Sequence, residues 1–166
     1  WRIETEWREE LSRLVYVSAV AQYHRRTRDG SLLALIDSDA RALIATVGYS
    51  PASGLGLALE TRRRLDREFA ASQSLDLWGV RPSARVTIGA LSGSLSTDFT
   101  WLTAGISGYL SPLLAEGRPL GFSFTESAEV RWQLPSRISL NTRLFGDHRQ
   151  DEPDRWRMHL ETVAIF

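Results

Sequence analysis

Apolar and polar residues alternate along most of this chain with a period of two, the spacing of a strand whose two faces meet different surroundings. Eight runs carry the pattern. In "RLVYVSAVAQYH", Val15, Val17, Ala19, Ala21 and Tyr23 share one face, and Tyr16, Ser18, Gln22 and His24 the other. "RALIATVGY" keeps Leu43, Ala45, Val47 and Tyr49 in phase. "LGLALETRRRLDREF" sets Leu55, Leu57, Leu59, Leu65 and Phe69 against Gly56, Glu60, Arg62, Arg64, Asp66 and Glu68, although a helix competes for "ETRRRLDREFAAS". "LWGVRPSARVTIGA" opposes Trp78, Val80, Ala84, Val86, Ile88 and Ala90 to Gly79, Arg81, Ser83, Arg85 and Thr87. Pro82 weakens that run, because proline cannot donate to a ladder.

"DFTWLTAGISGYL" is expected to place Leu102, Ala104, Ile106 and Leu110 on the apolar face and Trp101, Thr103, Ser107 and Tyr109 on the polar one. The clearest run is "LGFSFTESAEVRWQL", with Leu120, Phe122, Phe124, Ala128, Val130, Trp132 and Leu134 at even positions. "ISLNTRLFG" follows, with Ile138, Leu140, Thr142 and Leu144 in phase, and "DRWRMHLETVAIF" ends the chain. "SPASG", "SGSLS" and "PSR" are short turns. The stretches at 25–39, 70–74, 111–119 and 147–154 are mostly longer and polar.

Short turns at one end and longer loops at the other are the habit of transmembrane barrels. The resulting expectation is an all-β, eight-stranded antiparallel up-and-down transmembrane β-barrel over residues 12–166, with both ends of the barrel chain on the short-turn side. Residues 1–11 form an N-terminal periplasmic segment, read as a short amphipathic helix with Trp1 and Trp7 at the interface. A soluble sandwich or lipocalin-like barrel also alternates. It would have to put its large apolar side chains into a narrow interior, whereas a membrane barrel turns them outward and keeps the arginines and glutamates inside. The aromatics of the apolar face also fall near strand ends: Tyr49, Trp132 and Phe166 at the short-turn end, Tyr23, Phe69, Trp78 and Trp156 towards the loops. Amphipathic rings prefer the two membrane interfaces.

The final run resembles the C-terminal signature of bacterial outer-membrane barrel proteins, in which alternating apolar residues end on an aromatic. Trp156, Met158, Leu160, Thr162, Ala164 and Phe166 carry it, with Thr162 and Ala164 smaller than that signature favours. The resemblance extends through the strand pattern from about Arg13 onward. It implies residence in the bacterial outer membrane, contact with outer-membrane lipid and lipopolysaccharide, and insertion by the barrel-assembly machinery, which reads such a segment.

Composition is compatible with this. The 166 residues contain 43% hydrophobic and 24% charged residues, the make-up of neither a disordered chain nor a bundle of membrane helices. A formal net charge of +0 gives no electrostatic reason to expect nucleic acid. The absence of cysteine excludes disulfides and thiol chemistry. No metal-ligand spacing and no cofactor motif appears.

The interior of the expected barrel holds Glu60, Arg62, Arg64, Asp66, Glu68, Arg81, Arg85, Glu129, Arg131, Arg143, Arg157, His159 and Glu161. Buried charges must pair, so these read first as a packing network. Arg63 and Arg67 lie on the apolar face near its loop end, within reach of lipopolysaccharide phosphates. Glu126 does not fit. It sits mid-strand on the apolar face, where an ionisable group is costly and by default marks a bulge, a site or a protein partner.

The function expected is structural, adhesive or loop recognition rather than catalysis. Two alternatives stay open. Small outer-membrane barrels include lipid A deacylases and palmitoyltransferases, and the deacylases carry a His-x-Ser pair in a late strand. Here His148 is followed by Gln150, and the signature is absent. "GYLSP" at 108–112 resembles a segment of exopolysaccharide exporter barrels, which would make the chain part of a larger wall.

Overall fold

The computed structural model describes residues 1–28, 36–52, 54–69, 73–105, 120–134, 138–149 and 152–164. They form one antiparallel sheet of nine strands in chain order: β1 (Arg2–Glu10), β2 (Val15–Arg28), β3 (Ile36–Ala52), β4 (Leu55–Glu68), β5 (Gln73–Ile88), β6 (Leu91–Ala104), β7 (Gly121–Gln133), β8 (Ile138–Arg149) and β9 (Glu152–Ala164). Among the described residues there is no helix, β1 pairs only with β2, β9 pairs only with β8, and the sheet is not closed.

Several expectations change here. The N-terminal stretch is a strand and not an amphipathic helix: β1 pairs with β2 from Arg2↔His24 to Glu10↔Tyr16. Alternation in "RIETEWREE" puts Ile3, Thr5 and Trp7 beside the apolar positions of β2, and the backbone gains a full ladder by following them. The count is therefore nine strands rather than eight. Trp1 lies at the long-connection end, its amino group donating to the Arg25 carbonyl, while β9 runs toward the short-turn end.

"SGSLS" is strand and not turn. The hairpin closes one step earlier, on Gly89 and Ala90 between the Ile88↔Leu91 pair. Gly89 has φ +56°, as a two-residue hairpin turn requires. This earlier start reverses the reading of the following residues. Trp101 shares the apolar face with Phe99 and Leu95, whereas Leu102 and Ala104 stand on the polar face beside Leu77 and Leu75. Ile106 and Leu110 lie outside the described residues. The stretch 147–154 is also mostly strand, with only 150–151 between β8 and β9. "ETRRRLDREF" is strand as expected of its alternation, and the helix alternative falls.

The two faces segregate sharply. Among the described residues, Leu75, Leu77 and Leu102 are the buried hydrophobic ones, a small cluster on the polar face at the long-connection end. The opposite face leaves its large apolar side chains in the open, Met158 at 73% and Leu95 at 57% exposure. Accessible surface totals 11794 Å², against about 8,300 Å² for a folded monomer of this mass. No second layer among the described residues covers the apolar face.

On the polar face the Tyr16 ring lies flat over Gly48, its register partner. A Cβ on Gly48 would fall 2.0 Å from Tyr16 Cε1. The Arg8 guanidinium stands 4.5 Å from the same ring centroid. An aromatic ring covering a strand glycine in this way pins the register. Gly48→Val is expected to expel the ring and cost about 1–3 kcal/mol. Chemical unfolding of the single variants and of the Tyr16→Ala/Gly48→Val pair checks this, since a shared contact makes the double change cheaper than the sum.

Candidate functional site

The polar face carries the ion pairs that its sequence pattern promises. Arg81 donates to Glu60 at 3.0 Å, Arg64 to Asp66 at 2.7 Å, and Arg143 stands 3.4 Å from Glu129. The best-buried pair joins non-neighbouring strands. Arg62 on β4 reaches across β5 to Asp98 on β6 and also donates to Thr100 Oγ1 at 3.3 Å. It can do so because Gly79, on the intervening strand, is the register partner of both Arg62 and Thr100 and puts no side chain in the way. A Cβ there would meet Arg62 Nε at 3.0 Å and the Phe99 carbonyl oxygen at 3.2 Å. Both ions are only 19% exposed.

The remaining polar residues hold their expected face without forming one cluster. Arg85 registers beside Gly56 and Ser94, Arg131 beside Ser92 and Asn141, and Arg157 beside Phe145. His159 pairs in register with Arg143, and Glu161 with Asn141. Glu68 pairs in register with Ser38, and its side chain lies outside the described ones. Sequence reading missed Asp98, the partner of Arg62, because the strand was started at that residue and its lead-in taken for a turn.

On the apolar face a continuous band of rings crosses β5 to β9 near the long-connection end. Trp78 and Trp101 have centroids 5.0 Å apart, Trp101 and Phe122 5.1 Å, and Phe122 and Phe124 6.1 Å. His148 then stacks on Phe124 at 4.3 Å and meets Trp156 edge-on at 5.2 Å. The expected girdle positions Trp78 and Trp156 are the two ends of this band. The other two, Tyr23 and Phe69, lie instead beneath the guanidiniums of Arg41 and Arg25, at 5.6 and 5.8 Å.

Glu126 is explained by what stands next to it. His148 Nδ1 lies 2.9 Å from Asp154 Oδ1, and its Nε2 lies 3.5 Å from Glu126 Oε2, an ion-pair distance without hydrogen-bond geometry. The imidazole fits between the carboxylates because Gly146, the register partner of Glu126, leaves room: a Cβ there would sit 2.9 Å from His148 Nε2 and 2.8 Å from Trp156. No bulge is recorded at Glu126 in the β6–β7 or β7–β8 pairing. The two carboxylates flank opposite nitrogens of one ring, so they do not converge on a common metal position. Among the described residues no group of three or more metal-ligating side chains occurs.

Of the C-terminal signature, Trp156, Met158 and Leu160 project from the apolar face, exposed, with Ala164 paired to Ile138. Phe166 lies outside the described residues, as does "GYLSP". Comparison with protein-family models, curated proteins and solved structures finds no match.

Proposed function

We propose that this sheet is the wall of a bacterial outer-membrane β-barrel, its apolar face toward lipid and its charge-paired face toward the lumen, serving a structural, adhesive or loop-recognition role. One observation carries the proposal. A nine-stranded sheet exposes a whole apolar face with no layer of the described chain upon it, and a sheet that is apolar on one side must bury that side against something. Strands of 12–17 residues from β2 to β9 exceed the length needed to cross a bilayer when tilted. The band of rings at one end and Tyr49 and Trp132 at the other sit where interfacial girdles belong. Glu126 stands within that band with His148 Nε2 3.5 Å from its carboxylate. Outer-membrane lipid, lipopolysaccharide and the assembly machinery are the partners this reading implies.

The test is refolding into detergent micelles, with boiled and unboiled mobility compared on a denaturing gel beside far-ultraviolet circular dichroism. A mobility shift with a strand spectrum is expected. No shift, or solubility without detergent, overturns the proposal.

The open edges favour a second reading, in which the wall belongs to a larger exporter barrel. Single-chain bacterial barrels have even strand counts, and the described sheet has nine strands with β1 and β9 unpaired on their outer sides. A disulfide forming readily between Trp7→Cys and Leu160→Cys within one chain would place β1 against β9 and exclude further strands between them.

A further inference from the structure

The long-connection end of the apolar face is divided by charge. Across β5 to β9 it is aromatic; across β2 to β4 it is arginine-rich. Arg25, Arg41, Arg63 and Arg67 occupy three successive outward rows, with two carboxylates among them, Asp39 and Asp76. Arg63 grips Asp76 with two hydrogen bonds, at 2.8 and 3.3 Å, and Arg41 donates to Asp39 at 3.3 Å. Among the described side chains, Arg41, Arg63 and Arg67 against Asp39 and Asp76 leave one positive charge in excess. The Arg63 and Arg41 side chains remain 61% and 62% exposed, so their free edges face outward.

Toward the short-turn end the same face has an open groove of about 560 Å³, walled by Val47, Tyr49, Leu57, Leu59 and Leu95 and floored at Pro82 and Ala84. Between the groove and Arg63 stand only small outward residues on β3 and β4, Ala45 and its partner Thr61, while Leu43 shares the row of Arg63. The groove exists because Pro82 and Ala84 supply so little side chain between the leucines of β4 and Leu95 of β6. Leu59 is four residues from Arg63 along β4, about 14 Å of strand, and Leu57 about 20 Å. One leaflet of a bilayer's hydrocarbon core is about 15 Å deep.

We infer that this face holds one anionic, phosphate-bearing lipid, its phosphate on Arg63, Arg67 and Arg41 and an acyl chain running over Ala45 and Thr61 into the groove at Ala84. The inference rests on the membrane reading above and deepens it. Charge selects the headgroup: guanidiniums meet phosphate through paired N–H donors, and a zwitterionic headgroup brings its own cation into a site already carrying positive excess. The groove orders the chain and retains the lipid against exchange. The aromatic half of the band has no such excess, and the Asp154–His148–Glu126 row would repel a phosphate.

The chain is folded into mixed micelles containing equal phosphatidylcholine and phosphatidylglycerol, and co-purifying lipid is counted by native mass spectrometry. About one phosphatidylglycerol per chain is expected, at least fivefold over phosphatidylcholine. Arg63→Gln/Arg67→Gln should lose that preference, Arg63→Lys/Arg67→Lys should keep most of it, and Ala84→Phe should lower retention of the lipid by filling the groove. Equal retention of both lipids, or a preference unchanged in the double glutamine variant, overturns the inference. Gel mobility of the same samples separates the two failures. A heat-dependent shift with unselective lipid sinks only this site; a chain with no shift sinks the membrane reading, and the site with it.

Discussion

Replacing Arg62 by alanine is expected to cost about 3 kcal/mol, the lower end of what breaking a buried ion pair costs. Asp98 is then left on the polar face with neither of its oxygens satisfied, because its Oδ1 already has no hydrogen-bond partner. The magnitude follows from desolvation and not from the strength of the pair itself. Arg62→Met/Asp98→Leu, which removes both charges together, is therefore expected to cost much less than Arg62→Ala alone. Gly79→Leu should imitate the single loss with both ions still present, since its side chain would occupy the path of the guanidinium. Unfolding by denaturant, with the slope checked for constancy, measures all three.

Leu95→Arg gives the second large effect. Leu95 stands mid-strand on the apolar face at 57% exposure, and Ile88 at the short-turn end of the neighbouring strand at 69%. If exposure to water were the whole account, the two sites would respond alike, and each arginine would change stability by no more than about 0.5 kcal/mol. With lipid against the face, the mid-strand arginine is expected to cost about 2–4 kcal/mol and Ile88→Arg about 0–1 kcal/mol, because the penalty depends on depth. Unfolding titrations in lipid vesicles read the contrast directly. Two equally mild variants would return the sheet to water and call for a protein layer over its apolar side.

Most strands were visible in the sequence because alternation is a local property. Successive side chains of an extended backbone point to opposite sides whatever the neighbours do, so Leu57 and Leu59, or Phe122 and Phe124, announce their face unaided. Where both parities carry apolar residues the signal fails. Around Phe99, Trp101, Leu102 and Ala104 it pointed the wrong way, and the structure resolves it by sending the rings to the aromatic band and Leu102 to the cluster with Leu75 and Leu77. The first strand was missed for another reason. Its outward positions, Ile3, Thr5, Trp7 and Glu9, mix apolar and polar residues too irregularly to declare a strand without the ladder of β2.

The sequence by itself determined the all-β class, the segregation of an apolar from a polar face, and the identity of most residues on each. These depend only on a backbone period and on the side chains riding it. Tertiary structure alone decided the nine-strand order, the partners of each charge, and the neighbours of Glu126. Arg62 meets Asp98 because a glycine on the strand between them leaves the passage clear, and His148 meets Glu126 because Gly146 leaves it room. Such contacts depend on register between strands distant in the chain and on a side chain that is absent, and neither is written in the period of any one strand.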